Sequence, residues 1–124
     1  MQGEIFSSSL GIHTLMYVDF FKPNIVLIEN VSGLLTAKPK DNYIISEIFD
    51  ELDNLGYDVN RNRKDILLNS AEYGVPQVRK RIIICGIKKT LNIKSEKFFS
   101  GLKKTHYLPD EETQKSNLNK YVTI

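Results

Sequence analysis

The chain has 124 residues, 41% hydrophobic and 26% charged, which fits one small globular domain. Its 17 Lys+Arg against 15 Asp+Glu leave a net charge of +2, too small to argue for nucleic acid from charge alone. A single cysteine excludes an intrachain disulfide and a Cys-based metal cluster, and no apolar run nears the roughly 18 residues of a membrane span. With Met1-Gln2-Gly3-Glu4 unlike a signal peptide, a soluble cytoplasmic protein with no membrane attachment is expected.

In chain order, Ser7-Ser8-Ser9 offers a cap for a helix that carries Leu10, Leu15, Val18 and Phe21 and stops at Pro23. Ile25-Val26-Leu27-Ile28 is a continuous aliphatic run, the pattern of a strand buried on both faces. It ends in Glu29-Asn30 before a Val31-Ser32-Gly33 turn. A second helix is predicted to open at Pro39-Lys40-Asp41, with Ile44, Ile45, Ile48, Phe49, Leu52 and Leu55 on helical spacing and Gly56 as its C′ residue. Tyr57-Asp58-Val59 and Ile66-Leu67-Leu68 read as extended segments around the basic stretch Arg61 to Lys64. Asn69 to Pro76 is rich in turn formers, and Ile82 to Ile87 is a second apolar strand. Beyond Lys88 no period stands out. Two units follow from this: an α/β domain over residues 1–88 and a polar linker over 89–124. The α/β part is expected to be an open, mostly parallel sheet with flanking helices.

Two motifs carry chemistry. The first is Lys22-Pro23-Asn24-Ile25-Val26-Leu27-Ile28-Glu29-Asn30-Val31. Ligand sites in open α/β sheets lie at the carboxyl ends of strands, where Glu29 is expected, and the apolar run before it predicts a partly desolvated carboxyl group suited to acid–base work. A plain strand-end carboxylate that caps a neighbouring loop is the alternative. The second motif is Leu68-Asn69-Ser70-Ala71-Glu72-Tyr73-Gly74-Val75-Pro76-Gln77-Val78-Arg79-Lys80-Arg81. Arg79 and Arg81 are two apart, so an extended backbone would aim both guanidiniums to one face, suited to a carboxylate or phosphate held bidentately. The alternative is a solvated basic strand end. His13 and His106 lack ligand-spaced partners, so no metal site is expected. Lys88-Lys89, Lys94 and Lys103-Lys104 are either a weak phosphate-facing stripe or a solvated face.

Together, Ile-Glu-Asn-Val-x-Gly-Leu-Leu and the later Asn-Ser-x-x-Tyr-Gly-Val-Pro-Gln-x-Arg-x-Arg resemble the Glu-Asn-Val and Gln-x-Arg-x-Arg motifs of the DNA (cytosine-5)-methyltransferases, in the right order. The resemblance runs from about Ser8 to Ile87. More weakly, Thr105-His106 and Tyr121-Val122-Thr123-Ile124 are similar to the stretch that leads into that family's target-recognition region. The resemblance implies the carboxyl-terminal half of a Rossmann-like methyltransferase sheet. It implies double-stranded DNA as substrate and transfer of a methyl group from S-adenosyl-L-methionine to C5 of a cytosine flipped out of the helix. In the family a cysteine thiolate adds to C6 of the base while a glutamate meets N3. Carried over, the catalytic residues would be Glu29 as the N3 partner, with Arg79 and Arg81 orienting it and contacting the base oxygen or phosphate. Asn30, Val31 and Gln77 would support the substrate, and Leu10 sits where the family places a cofactor contact.

The departures are as telling. The family nucleophile lies in a Pro-Cys motif, and counting back from Glu29 by the family's usual separation runs off the front of this chain. Cys85 follows Ile84 in an apolar strand, where burial makes a thiol inert. None of the seven glycines forms Gly-x-Gly, and Ile5-Phe6-Ser7 replaces the family's Asp-x-Arg, so cofactor binding by this chain is doubtful. Three functions follow as expectations: a methyltransferase fragment inactive alone, one polypeptide of a split enzyme, or a non-catalytic DNA- or protein-binding remnant. Its partner would be the missing amino-terminal half, or a second copy meeting an uncovered apolar sheet edge.

Overall fold

The computed structural model describes residues 9–39, 41–108, 119–120 and 122. Helix α1 (Ser9–Phe21) buries Leu15 and Val18 on one stripe and leaves Met16, Tyr17, Phe20 and Phe21 exposed. It ends where Lys22 turns left-handed at φ 47°, donating its N–H to the Val18 carbonyl at 2.9 Å. The residue before a proline is pushed out of the helical region, so Pro23 forces this stop. The turn is pinned from the sheet: Tyr57 Oη donates to the Pro23 carbonyl at 2.6 Å and Lys88 Nζ to the Lys22 carbonyl at 2.7 Å.

The sheet is built on β4 (Lys80–Lys88), which pairs with β1 (Ile25–Val31) along one side. On its other side it pairs with β2 (Tyr57–Val59) and β3 (Leu67–Asn69), so the main path runs β1-β4-β2. All three ladders are antiparallel, which corrects the expected mostly parallel sheet. Strands β1 and β2, joined through helix α2 (Ile44–Asn54), do run in the same direction, but β4 returns between them. An aliphatic strand reads alike in either direction, so hydropathy could not reveal this insertion. Strand β1 also alternates instead of being buried on both faces: Val26 is 6% exposed, whereas Ile25 and Leu27 are more than half exposed. Its other edge has no strand neighbour among the described residues.

Helix α2 starts after Tyr43, later than Pro39-Lys40-Asp41, and Lys40 lies outside the described residues. Ile45, Ile48, Phe49 and Leu52 form its buried stripe, with Ile44 and Leu55 packed alongside. Gly56 follows the helix at φ 93°, the left-handed position that a glycine accepts without strain. Ile66 belongs to the short helix α3 (Arg63–Ile66), which Asn62 caps by accepting from Lys64 N at 3.0 Å. Beyond Lys88, helix α4 (Glu96–Gly101) places Phe99 in the same core as Leu15, Leu52 and Ile84. Asp58 holds its start, accepting from Ser95 N at 2.8 Å and Ser95 Oγ at 3.0 Å. Short strands β5 (His106–Tyr107) and β6 (Asn119–Lys120) pair in parallel.

Candidate active site

Glu29 lies within β1, paired with Ile83, rather than past the strand's end. Paired residues of antiparallel strands share a face, so Ile25, Leu27, Glu29 and Val31 lie with Arg81, Ile83, Cys85 and Ile87. On that face Arg81 Nε stands 3.1 Å from Glu29 Oε1. The Glu29 side chain is 57% exposed and that of Arg81 29%, so the desolvated carboxyl group expected from the apolar run is replaced by a solvated, cation-paired one. The exposed residues on this face belong to β1, the edge strand, while Cys85 and Ile87 of β4 beside it are buried. Arg81 is further fixed by Nη1 donating to the Lys80 carbonyl at 2.9 Å.

Arg79 precedes β4 and is exposed; among the described residues its guanidinium makes no ion pair. Its backbone is held firmly, with the N–H donating to Asn69 Oδ1 at 3.2 Å and the carbonyl accepting from Ser70 N at 3.1 Å. Gln77 is exposed, and its carbonyl accepts from Ser70 Oγ at 2.7 Å, which closes the Ser70–Gln77 loop. Asn30 falls on the face opposite Glu29 and accepts from Val31 N at 2.8 Å, while Val31 stands opposite Arg81 and is exposed. The structure therefore brings Glu29, Arg81 and Val31 together, sets Arg79 and Gln77 on the adjoining loop, and turns Asn30 away.

Leu10 belongs to α1, but its side chain lies outside the described residues, as do Tyr121, Thr123 and Ile124. Among the described residues, two open hollows beside α1, of about 400 and 420 Å³, are lined by groups such as Met16, Tyr17, Phe21 and Ile25; neither holds a carboxylate that could meet the ribose or the amine of S-adenosylmethionine, so neither fits that cofactor. Among the described residues no group of three His, Cys, Asp or Glu side chains could hold a metal ion, and no helix is long and apolar enough to cross a membrane. Cys85 is fully buried, and burial, with a smaller contribution from Asp58, pushes its thiol pKa up.

Sequence reasoning passed over Asn69, whose Oδ1 caps the 3-10 turn Ser70–Tyr73 through Ala71 N at 3.3 Å while also accepting from Arg79 N. An asparagine directly before Ser-Ala-Glu was the available signal, since Asn favours such caps. It also passed over the pairing of Glu72 with Lys104, which no local pattern announces.

A carboxylate and a guanidinium from two separated motifs thus meet on adjacent strands of the α/β sheet. The family model for C-5 cytosine-specific DNA methylase matches residues 6–123, and the chain belongs to that family. It is 38% identical over 82 residues to the type II methyltransferase M.DdeI of Desulfomicrobium norvegicum, covering 65% of this chain and 19% of that protein. It is 37% identical over 109 residues to the type II methyltransferase M.NgoFVII of Neisseria gonorrhoeae, covering 88% of this chain and 25% of that protein. The fold matches a solved E. coli prophage-encoded protein described as a DNA modification methyltransferase. That match has a TM-score of 0.58 at 23% identity, over 90% of this chain and 26% of the other. The chain thus spans between 19% and 25% of the length of these two curated relatives.

Proposed function

We propose that this chain carries the base-activating part of a DNA (cytosine-5)-methyltransferase. The observation that carries the reading is the Glu29–Arg81 contact, which joins the Glu-Asn-Val and Gln-x-Arg-x-Arg motifs at one point of the sheet. Glu29 meets N3 of a flipped cytosine, so that electron density generated by thiolate addition at C6 reaches C5. Arg81 holds the carboxylate in place. Arg79, exposed and fixed through its backbone, meets the base oxygen or a flanking phosphate. Val31 and Gln77 shape the neighbouring surface, and Asn30 acts through the Val31 backbone it binds. The thiolate and the S-adenosylmethionine site come from sequence outside these 124 residues, since neither Pro-Cys nor Gly-x-Gly occurs among them.

The partner that brings them adjoins β1. Phe20 (79% exposed), Phe21, Tyr17 and Met16 of α1 add to the exposed side chains of Ile25, Leu27 and Val31, beside the β1 edge that has no strand neighbour among the described residues. Such a surface suits the remaining strands of a methyltransferase sheet; without them, a second copy takes their place. The direct test mixes the chain with a polypeptide carrying a methyltransferase Pro-Cys loop and glycine-rich motif, then adds labelled S-adenosylmethionine and cytosine-containing DNA. The chain alone should give background counts and the mixture counts that rise with both components. Transfer by the purified chain alone, or none by an assembled mixture, contradicts the reading.

A further inference from the structure

Glu72 is 7% exposed and has no part in the chemistry above. Its carboxylate pairs with Lys104 Nζ, and its carbonyl accepts from Thr105 N at 2.9 Å. Two residues on, Gly74 is left-handed at φ 90°, and a Cβ there would stand 2.9 Å from Cε1 of the His106 ring. Residues 104–106 thus press on the Ser70–Gln77 loop from outside. From inside, the loop is tied to Arg79: Asn69 Oδ1 accepts from both Ala71 N and Arg79 N, and Ser70 N donates to the Arg79 carbonyl.

We propose that Glu72 is a positioning residue for Arg79: its ion pair with Lys104 holds residues 104–106 against the Ser70–Tyr73 turn, and that turn, through Asn69 and Ser70, fixes where Arg79 leaves the loop. The proposal rests on the reading of Arg79 as a group that faces base or phosphate. A buried carboxylate stripped of its cation is strongly disfavoured, so the turn relaxes when the pair is broken. Arg79 then loses the defined backbone geometry from which its side chain projects.

Hydrogen exchange on the full chain reads this linkage without any need for activity. In Glu72→Gln and in Lys104→Met, the Thr105 and Arg79 amides should exchange faster together, by about tenfold or more, as when a buried charged hydrogen-bond partner is lost. The β4 amides of Ile83 and Cys85 should keep their protection. Lys104, with its side chain 43% exposed, is the partner whose replacement least disturbs folding. Faster exchange at Thr105 with Arg79 unchanged overturns the proposal, because Glu72 would then only anchor the later segment. In the methylating mixture both variants should raise KM for DNA several-fold with a smaller change in kcat, whereas Glu29→Gln lowers kcat. A rate untouched by Glu29→Gln sinks the reading of the site, and with it the role assigned to Arg79. A rate lost in Glu29→Gln, with KM and kcat untouched in both other variants, sinks the positioning role alone.

Discussion

Glu29 and Arg81 meet diagonally across the β1–β4 ladder: Glu29 is registered with Ile83 and Arg81 with Val31, and their charged atoms close to 3.1 Å. A slip of one residue in that pairing would turn Glu29 to the opposite face, so the register of two apolar strands decides the geometry of the polar site. An ion pair this exposed contributes only about 0–1 kcal/mol to stability; its importance lies in aiming the carboxylate. Arg81→Lys keeps the charge but not the planar fork. It should leave the unfolding midpoint almost unchanged while slowing methylation in the reconstituted mixture about 10- to 100-fold. Parent-like turnover by Arg81→Lys would show that the guanidinium does not orient Glu29.

Cys85→Ser should spare any reconstituted activity and weaken the fold. The thiol is fully buried between Ile84 and Gly86, with its pKa pushed up by burial and by Asp58. A serine hydroxyl placed there has to lose water, at a cost of about 1–3 kcal/mol if it stays unpaired. Chemical denaturation measures that loss. Activity abolished in a variant of parent-like stability would make Cys85 the nucleophile.

Acid should loosen the docking of α4. Burial pushes the Asp58 carboxyl pKa up, but the hydrogen bonds from Ser95 N, Lys94 and the Ser95 hydroxyl outweigh it, and the net shift is below the ordinary 3.8. A carboxylate with a lowered folded value stabilises fully above 3.8, and its contribution disappears as pH falls through that lowered value. Asp53 is lowered too, mainly by its hydrogen bond to Lys89, and belongs to the same acid limb. Asp58→Asn should therefore be less stable than the parent at neutral pH, with the gap narrowing below about pH 4. A gap that stays constant from pH 7 to pH 3 would contradict the assignment.

The uncovered face beside β1 should drive association. With Phe20, Phe21, Ile25 and Leu27 all more than half exposed, sedimentation should show dimers or larger species at micromolar concentrations. Phe20→Asp combined with Leu27→Lys should return the chain to monomer without loss of helix content. A parent chain that stays monomeric to high micromolar concentration speaks against this surface as an interface.

Much of the fold is legible locally. Pro23 and Gly56 mark where α1 and α2 end, the α2 stripe follows helical spacing, and the two aliphatic runs lie in β1 and β4. What stayed hidden is non-local. The insertion of β4 between β1 and β2 is a choice of pairing partner, and hydropathy carries none. The same choice makes β1 an edge, where a run that reads as doubly buried exposes Ile25 and Leu27. Helix α4 is short and polar except for Phe98 and Phe99, too brief for a period to show, and its place depends on Asp58, many residues away. Glu29, Arg79 and Arg81 could be singled out because motif and chemistry coincide. That Glu29 would meet Arg81 depends on ladder register, and the bond from Asn69 to Arg79 depends on how the loop closes.

The central claim is that Glu29 supplies the carboxyl group at N3 of the target base. Glu29→Gln preserves size and hydrogen-bonding capacity but removes the titratable proton, at a side chain that is more than half exposed. Single-turnover methylation by the parent and Glu29→Gln mixtures, at matched assembly and saturating methyl donor, measures the consequence directly. The account predicts a rate lower by about 10²–10⁴-fold, the usual worth of general acid–base catalysis, with assembly unchanged. Equal rates in the two mixtures would make Glu29 an ordinary edge-strand carboxylate and contradict the account.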